Sequence, residues 1–194
     1  KRPYTVLFID GNHENFDRLY KYPVKEWKGG KVHEIRPSVL HLMRGEIFEI
    51  CDKKIFTFGG ASSHDIDDGI LYMDEDEQWR KTARQFDLEN KMYRICGLSW
   101  WEQELPTEAE MKNGFDNLKK HENKVDYIIS HTPPASIIAE MGQGLYAQDY
   151  LTNYLEEIKQ DVEYEKWFFG KCHIDKHIPV KFYAVFNNVT PLIK

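Results

Sequence analysis

A chain of 194 residues that is 41% hydrophobic, with eleven Tyr, eleven Phe and five Trp, can bury a full core and is not disordered. Its 26 Lys and Arg against 32 Asp and Glu give a net charge of −6, which argues against a nucleic-acid-backbone binder but allows a phosphorylated substrate held by a metal ion. Cys51, Cys96 and Cys172 are odd in number and widely spaced, which excludes a disulfide framework or Cys-rich zinc motif and points to a reducing cytoplasm, and no apolar run has membrane-spanning length.

In chain order, "KRPYTVLFID" opens without Met and close to a strand, so residues upstream are expected to be missing. Val6-Leu7-Phe8-Ile9 is apolar without alternation and predicts a short buried strand. It ends in Asp10-Gly11-Asn12-His13-Glu14, at the strand end where open α/β sheets place their ligands. An amide oxygen, an imidazole and a carboxylate together suit a metal or a phosphate. The same residues also fit a capped turn, with Asn12 as N-cap of a helix near 13–20. "KYPVKEWKGGK" reads as a loop. The extended segments "VHEIRPSVLHLM", "GEIFEIC" and "KKIFTFGG" then predict an antiparallel meander.

"ASSHDIDDGILYMDEDEQW" is an acidic loop whose Asp65, Asp67 and Asp68 lack the full EF-hand spacing. "QWRKTARQFDLENK" predicts a helix, and "LPTEAEMKNGFDNLKKHEN" a better one, because Thr107 and Glu110 fit a capping box after Pro106. The strand "VDYIIS" closes on "HTPPAS". A helix near 148–161 follows, then the strand "KWFFG" ending in "KCHIDKH", and finally the strand "VKFYAVFNN". A meander followed by alternating strands and helices predicts one α/β domain over residues 1–194 with mixed sheets.

Three apolar strands thus end in a polar group containing His, and three adjacent strands doing so would gather the imidazoles along one sheet edge. Gly11-Asn12-His13-Glu14, Ser130-His131-Thr132 and Gly170-Lys171-Cys172-His173 follow the order and spacing of the G-N-H-D/E, lone-His and G-H-x-H signatures, so the chain resembles the calcineurin-like metallophosphoesterases. The stretch "YRICGLSWWEQELPTEAE" is also similar to the segment preceding the lone-His strand in some bacterial members.

The resemblance implies two mixed β-sheets packed as a sandwich flanked by helices, and hydrolysis of a phosphate mono- or diester by metal-activated water. It implies two divalent metals, Mn, Fe or Zn, about 3.5–4 Å apart at the strand ends. Asn12 and His131 match ligands of the second metal and His173 a ligand of the first. His13 matches the histidine that assists the leaving group, and Glu14 would orient it. The substrate would be a phosphorylated small molecule or a phosphoprotein.

The chain departs from that pattern twice. D-x-H and G-D-x-x-D would lie before residue 1, leaving the domain N-terminally incomplete. Lys171 replaces the first His of G-H-x-H, where a protonated amine cannot coordinate and instead carries a fixed charge suited to holding a phosphate or opposing a metal. A non-catalytic module with a degenerate metal site is therefore the competing class. A thiol or serine hydrolase lacks a triad. Cys172 beside Lys171 has a neighbour able to depress its thiol pKa, and Trp100-Trp101 reads as core packing before base stacking.

Overall fold

The structure is a computed structural model that describes residues 3–75, 77–142 and 148–192. Strands Val6–Phe8 (β1), Val24–Trp27 (β2), Gly30–Arg36 (β3) and Val39–Leu42 (β4) form a four-stranded sheet in the order β1-β4-β3-β2. Its last three strands are antiparallel, and β1 joins β4 in parallel. Glu46–Ile50 (β5) and Lys53–Phe58 (β6) make a hairpin in a second sheet. There β6 is followed by Tyr127–Ser130 (β9), Lys166–Phe169 (β10), Phe182–Ala184 (β12) and Lys176–Ile178 (β11). The pairs β6–β9, β9–β10 and β10–β12 are parallel, whereas β5 and β11 run antiparallel at the two edges. The expected single meander is therefore split: the chain leaves the first sheet after β4 and enters the second at β5.

Alternation along the strands decides the layers. On one face of the second sheet, Phe56, Phe58, Ile128, Trp167 and Phe169 pack with Leu118 of Glu108–Lys120 (α3), Ile137 of Ala135–Gly142 (α4) and Leu151, Leu155 and Ile158 of Tyr150–Asp161 (α5). On the other face lie Ile55, Tyr127 and Phe168, with Ile50 also joining the core of the first sheet through Leu7, Ile9, Val32, Leu40, Leu42 and Phe48. The outer face of the first sheet carries Phe8 and Ile35 against Phe16 and Leu19 of Phe16–Leu19 (α1) and against Trp101. The order is helices, sheet, sheet, helix, an α/β architecture with mixed sheets.

The capping box predicted at Thr107 and Glu110 forms, with each side chain bonding the other's backbone N–H. The predicted helix near 148–161 begins at Asp149, whose carboxylate accepts from Thr152 N–H. Asn12 is not a helix cap: Asn15 takes that role for α1, a single turn, because Phe16 and Leu19 are its buried residues. The acidic loop contains a two-residue strand, Ile70–Leu71 (β7), paired with Arg94–Ile95 (β8), and leads into Trp79–Leu88 (α2). Asp65 pairs with Arg94, and Asp68 accepts from Met92 N–H, so neither carboxylate is directed at a cation site. Gly45 fixes where α3 crosses the β4–β5 link: its φ is +75°, and a Cβ there would lie 2.7 Å from Gly114 N. Asn117 donates to Gly45 O at 2.8 Å across the same contact.

Candidate functional site

The three strand-end histidines do not share a sheet edge. β9 and β10 are parallel neighbours in the second sheet, so the turns carrying His131 and Lys171–His173 lie side by side, whereas β1 belongs to the first sheet. The carboxyl end of β1 nevertheless meets that of β9. The Asn12 side chain reaches His131, with Asn12 Oδ1 at 3.3 Å from His131 Nε2. Gly11 makes the approach possible, because a Cβ there would lie 3.0 Å from His131 Cε1. A peptide turning under an imaginary methyl at that distance would push the imidazole away from the amide.

Donor and acceptor accounting fixes which way Asn12 points. Glu104, fully buried, accepts from both the backbone N–H of Ser63 (2.7 Å) and its hydroxyl (2.6 Å). With its hydrogen committed to Glu104, Ser63 Oγ accepts from Asn12 Nδ2 at 3.1 Å. That leaves Asn12 Oδ1 facing His131. Asn12 Nδ2 also lies 3.3 Å from His13 Nε2, which accepts and so carries its proton on Nδ1. His13 itself is exposed. Ser63 and Glu104 carry no sequence signal for this role, since a serine in a polar loop and a glutamate in a 3₁₀ turn (Glu102–Glu104) look like surface residues.

His131 is neutral at ordinary pH: burial, then the nearby charge of Lys171, hold its pKa at about 4. His13 and His173 also act on it, so all three strand-end histidines share one electrostatic neighbourhood. His173 is the outlier, because it is exposed and its ring stacks on Phe186 with centroids 5.0 Å apart. Lys171 is buried, and its Nζ donates to Ser62 O at 2.7 Å. Burial lowers its pKa, with Glu104 and Asp65 opposing. Lys171 and His173 both sit at left-handed backbone, with φ of +58° and +49°. Such non-glycine strain collects where a loop must aim its side chains.

Glu14 makes no hydrogen bond or ion pair among the described residues, and Asn12 is the group that contacts His13. The Cys172 thiol is pushed up by burial more than Lys171 lowers it, so it is not a thiolate nucleophile. Trp101 is core: it is buried, and its Nε1–H donates to Asp17 at 2.9 Å.

Behind Asn12, Asp10 anchors the turn. Its carboxylate, wholly buried, accepts from Arg44 at 2.9 and 2.5 Å and bonds His41 Nε2 at 2.9 Å. Burial pushes its pKa up, but Arg44 and His41 together outweigh that and hold it at about 2. Arg44 and His41 were not singled out in the sequence because neither lies in a motif.

An amide oxygen and a neutral imidazole are both groups a divalent ion takes as ligands, but here His131 Nε2–H donates to Asn12 Oδ1, so coordination through Nε2 would require that hydrogen to move to Nδ1. Among the described residues no group of three His, Cys, Asp or Glu is placed to hold a metal. No family model, curated protein or solved structure matches the chain. Among the described residues no helix is long and apolar enough to cross a membrane.

Proposed function

We propose that the chain carries the strand-end site of a metal-dependent phosphoesterase of the calcineurin-like type, hydrolysing a phosphate mono- or diester. What carries this reading is the 3.3 Å contact between Asn12 Oδ1 and His131 Nε2, which joins residues 119 positions apart from two different sheets. Simple packing does not require an amide oxygen buttressed through Ser63 by a buried carboxylate. Asn12 and His131 would hold one divalent ion and His173 would be a ligand of the other, manganese, iron or zinc, and the metal would supply a water acidic enough to attack phosphorus near neutral pH.

The chain's own groups account for the rest. His13, exposed at the rim beside Asn12, is the candidate to carry a proton to the departing oxygen, from Nδ1, since Nε2 accepts from Asn12. Lys171 contributes a positive charge toward a phosphoryl oxygen without a change of ligand, as an ammonium point charge does. The low pKa of His131 keeps its lone pair available down to mildly acidic pH.

The test is hydrolysis of p-nitrophenyl phosphate and of its bis ester with added manganese. His131→Ala and His13→Ala are each expected to abolish turnover while leaving far-UV circular dichroism unchanged. Wild-type rates retained in both variants would refute the reading.

The second reading, a non-catalytic module on the same scaffold, is favoured by Lys171, whose ammonium already donates to Ser62 O and stands where the resemblance calls for a ligand. Absence of manganese uptake together with retained binding of inorganic phosphate would decide for it.

A further inference from the structure

A second recess lies on the outer face of the first sheet, on the far side of Asp10 from Asn12. It has a volume of about 330 Å³, at the lower end of the roughly 300–1,000 Å³ typical of small-molecule sites. Its floor is a chain of buried polar groups. His33 and His41 are cross-strand partners on β3 and β4, with Nδ1 atoms 3.0 Å apart, and His41 passes the contact on to Asp10.

His41 donates from Nε2 to Asp10, and neutral His33 places its one hydrogen on Nδ1, toward His41 Nδ1. This leaves His33 Nε2 as an acceptor with no bond among the described residues. Burial and the neighbouring His41 hold the His33 pKa at about 4, consistent with the neutral form. Arg44 completes the floor. Its Nε and Nη2 are engaged by Asp10 and Gln103 O, but the buried Nη1 has no hydrogen-bond partner among the described residues, where the carboxylate of Glu110 lies 3.6 Å away. A buried guanidinium donor left unmade is costly and is where a ligand gains most.

The lining also states what that ligand is. Three carboxylates (Asp10, Glu46, Glu110) face two cations (Lys31, Arg44), so an anion meets net repulsion. Tyr20 stacks on His33 with centroids 5.6 Å apart and a 25° interplanar angle, giving the recess a flat aromatic wall. Ala109, exposed on α3, stands at its mouth.

We propose that this recess binds an uncharged planar heterocycle of nucleobase size, whose carbonyl accepts from Arg44 Nη1 and whose ring N–H donates to His33 Nε2. The site is separate from the phosphoesterase reading and stands or falls without it.

Isothermal titration of the 194-residue chain with uracil and with hypoxanthine tests the proposal, with benzoate and inorganic phosphate as anionic controls. Saturable binding of at least one heterocycle is expected, with neither anion competing. Ala109→Trp, which closes the mouth from an exposed position, should weaken binding tenfold or more. His33→Phe keeps the wall but removes the acceptor, and should weaken it by about tenfold, the value of one net hydrogen bond. In the wild-type chain, bound heterocycle should shift the ring resonances of His33 and Tyr20. Failure of both heterocycles to saturate, unchanged affinity in A109W, or shifts confined to His13 and His131 would each overturn it.

Discussion

Replacing His33 with Phe should make the protein less stable at neutral pH and more stable in acid. His33 is 5% exposed, and burial, then His41, lower its pKa from 6.5 to about 4. The groups facing it are His41, the Tyr20 ring and, through His41, Asp10. Because the folded state binds this proton less well than the unfolded chain, His33 costs nothing above about pH 6.5 and lowers stability as pH falls. The loss levels off below about pH 4, having reached about 3 kcal/mol there for a shift of this size.

Phenylalanine abolishes that titration but leaves His41 Nδ1 buried without its partner, a penalty of about 1–2 kcal/mol at pH 7. The two stability curves should therefore cross between about pH 6 and pH 5, with the variant ahead by about 1–2 kcal/mol near pH 4. Urea unfolding of both proteins across this range, with common slopes, measures the difference directly. A difference that stays constant from pH 7 to pH 4 would show that His33 protonates as readily folded as unfolded, and would refute the account of His33 as a neutral buried imidazole.

Lys171→His places an imidazole where the resemblance calls for one and should raise manganese per chain after loading and desalting, measured by plasma emission; equal occupancy would count against matching Lys171 to the first His of G-H-x-H. Gly11→Ala places a methyl 3.0 Å from His131 Cε1 and should cost about 1–3 kcal/mol of stability in denaturant unfolding while displacing the His131 ring resonances. Thr107→Ala removes the capping box of α3 and should cost about 1 kcal/mol, seen as a melting temperature lower by about 2–4 °C; an unchanged melting temperature would mean the cap is not held in solution.

Strand and helix identity was readable wherever a local pattern was complete. The Thr107–Glu110 box and the apolar runs at Tyr127–Ser130 and Lys166–Phe169 each satisfy their own rule within a few residues. Sheet membership was not readable, because β4 and β5 are both short, apolar and extended, and only Gly45 seated against Gly114 redirects the chain from one sheet to the other. The site was half legible for the same reason. Asn12 and His131 announce themselves at strand ends, but the residues that orient them, Ser63 and Glu104, are ordinary polar residues until folding buries them. The resemblance gives Glu14 the role of orienting His13, but among the described residues it is Asn12 that contacts the imidazole.

The Lys171 position bears most directly on what the site is for. A buried ammonium is penalised by lost hydration, and a single carbonyl, Ser62 O at 2.7 Å, offers its only hydrogen bond among the described residues. The left-handed backbone at Lys171 adds roughly 1–2 kcal/mol of local strain, and His173 repeats it two residues on. Methionine would fill the same volume with neither the desolvation penalty nor any effect on His131. Charge, rather than bulk, is therefore what distinguishes the residue present. That charge acts on His131, which already stands at the end of the Glu104–Ser63–Asn12 chain, so the ammonium, the amide and the imidazole form one electrostatic unit. On the proposed reading such a unit would favour an anionic oxygen arriving between the two sheets, whether or not a metal ion accompanies it, and phosphate binding is the property that the two proposed readings share.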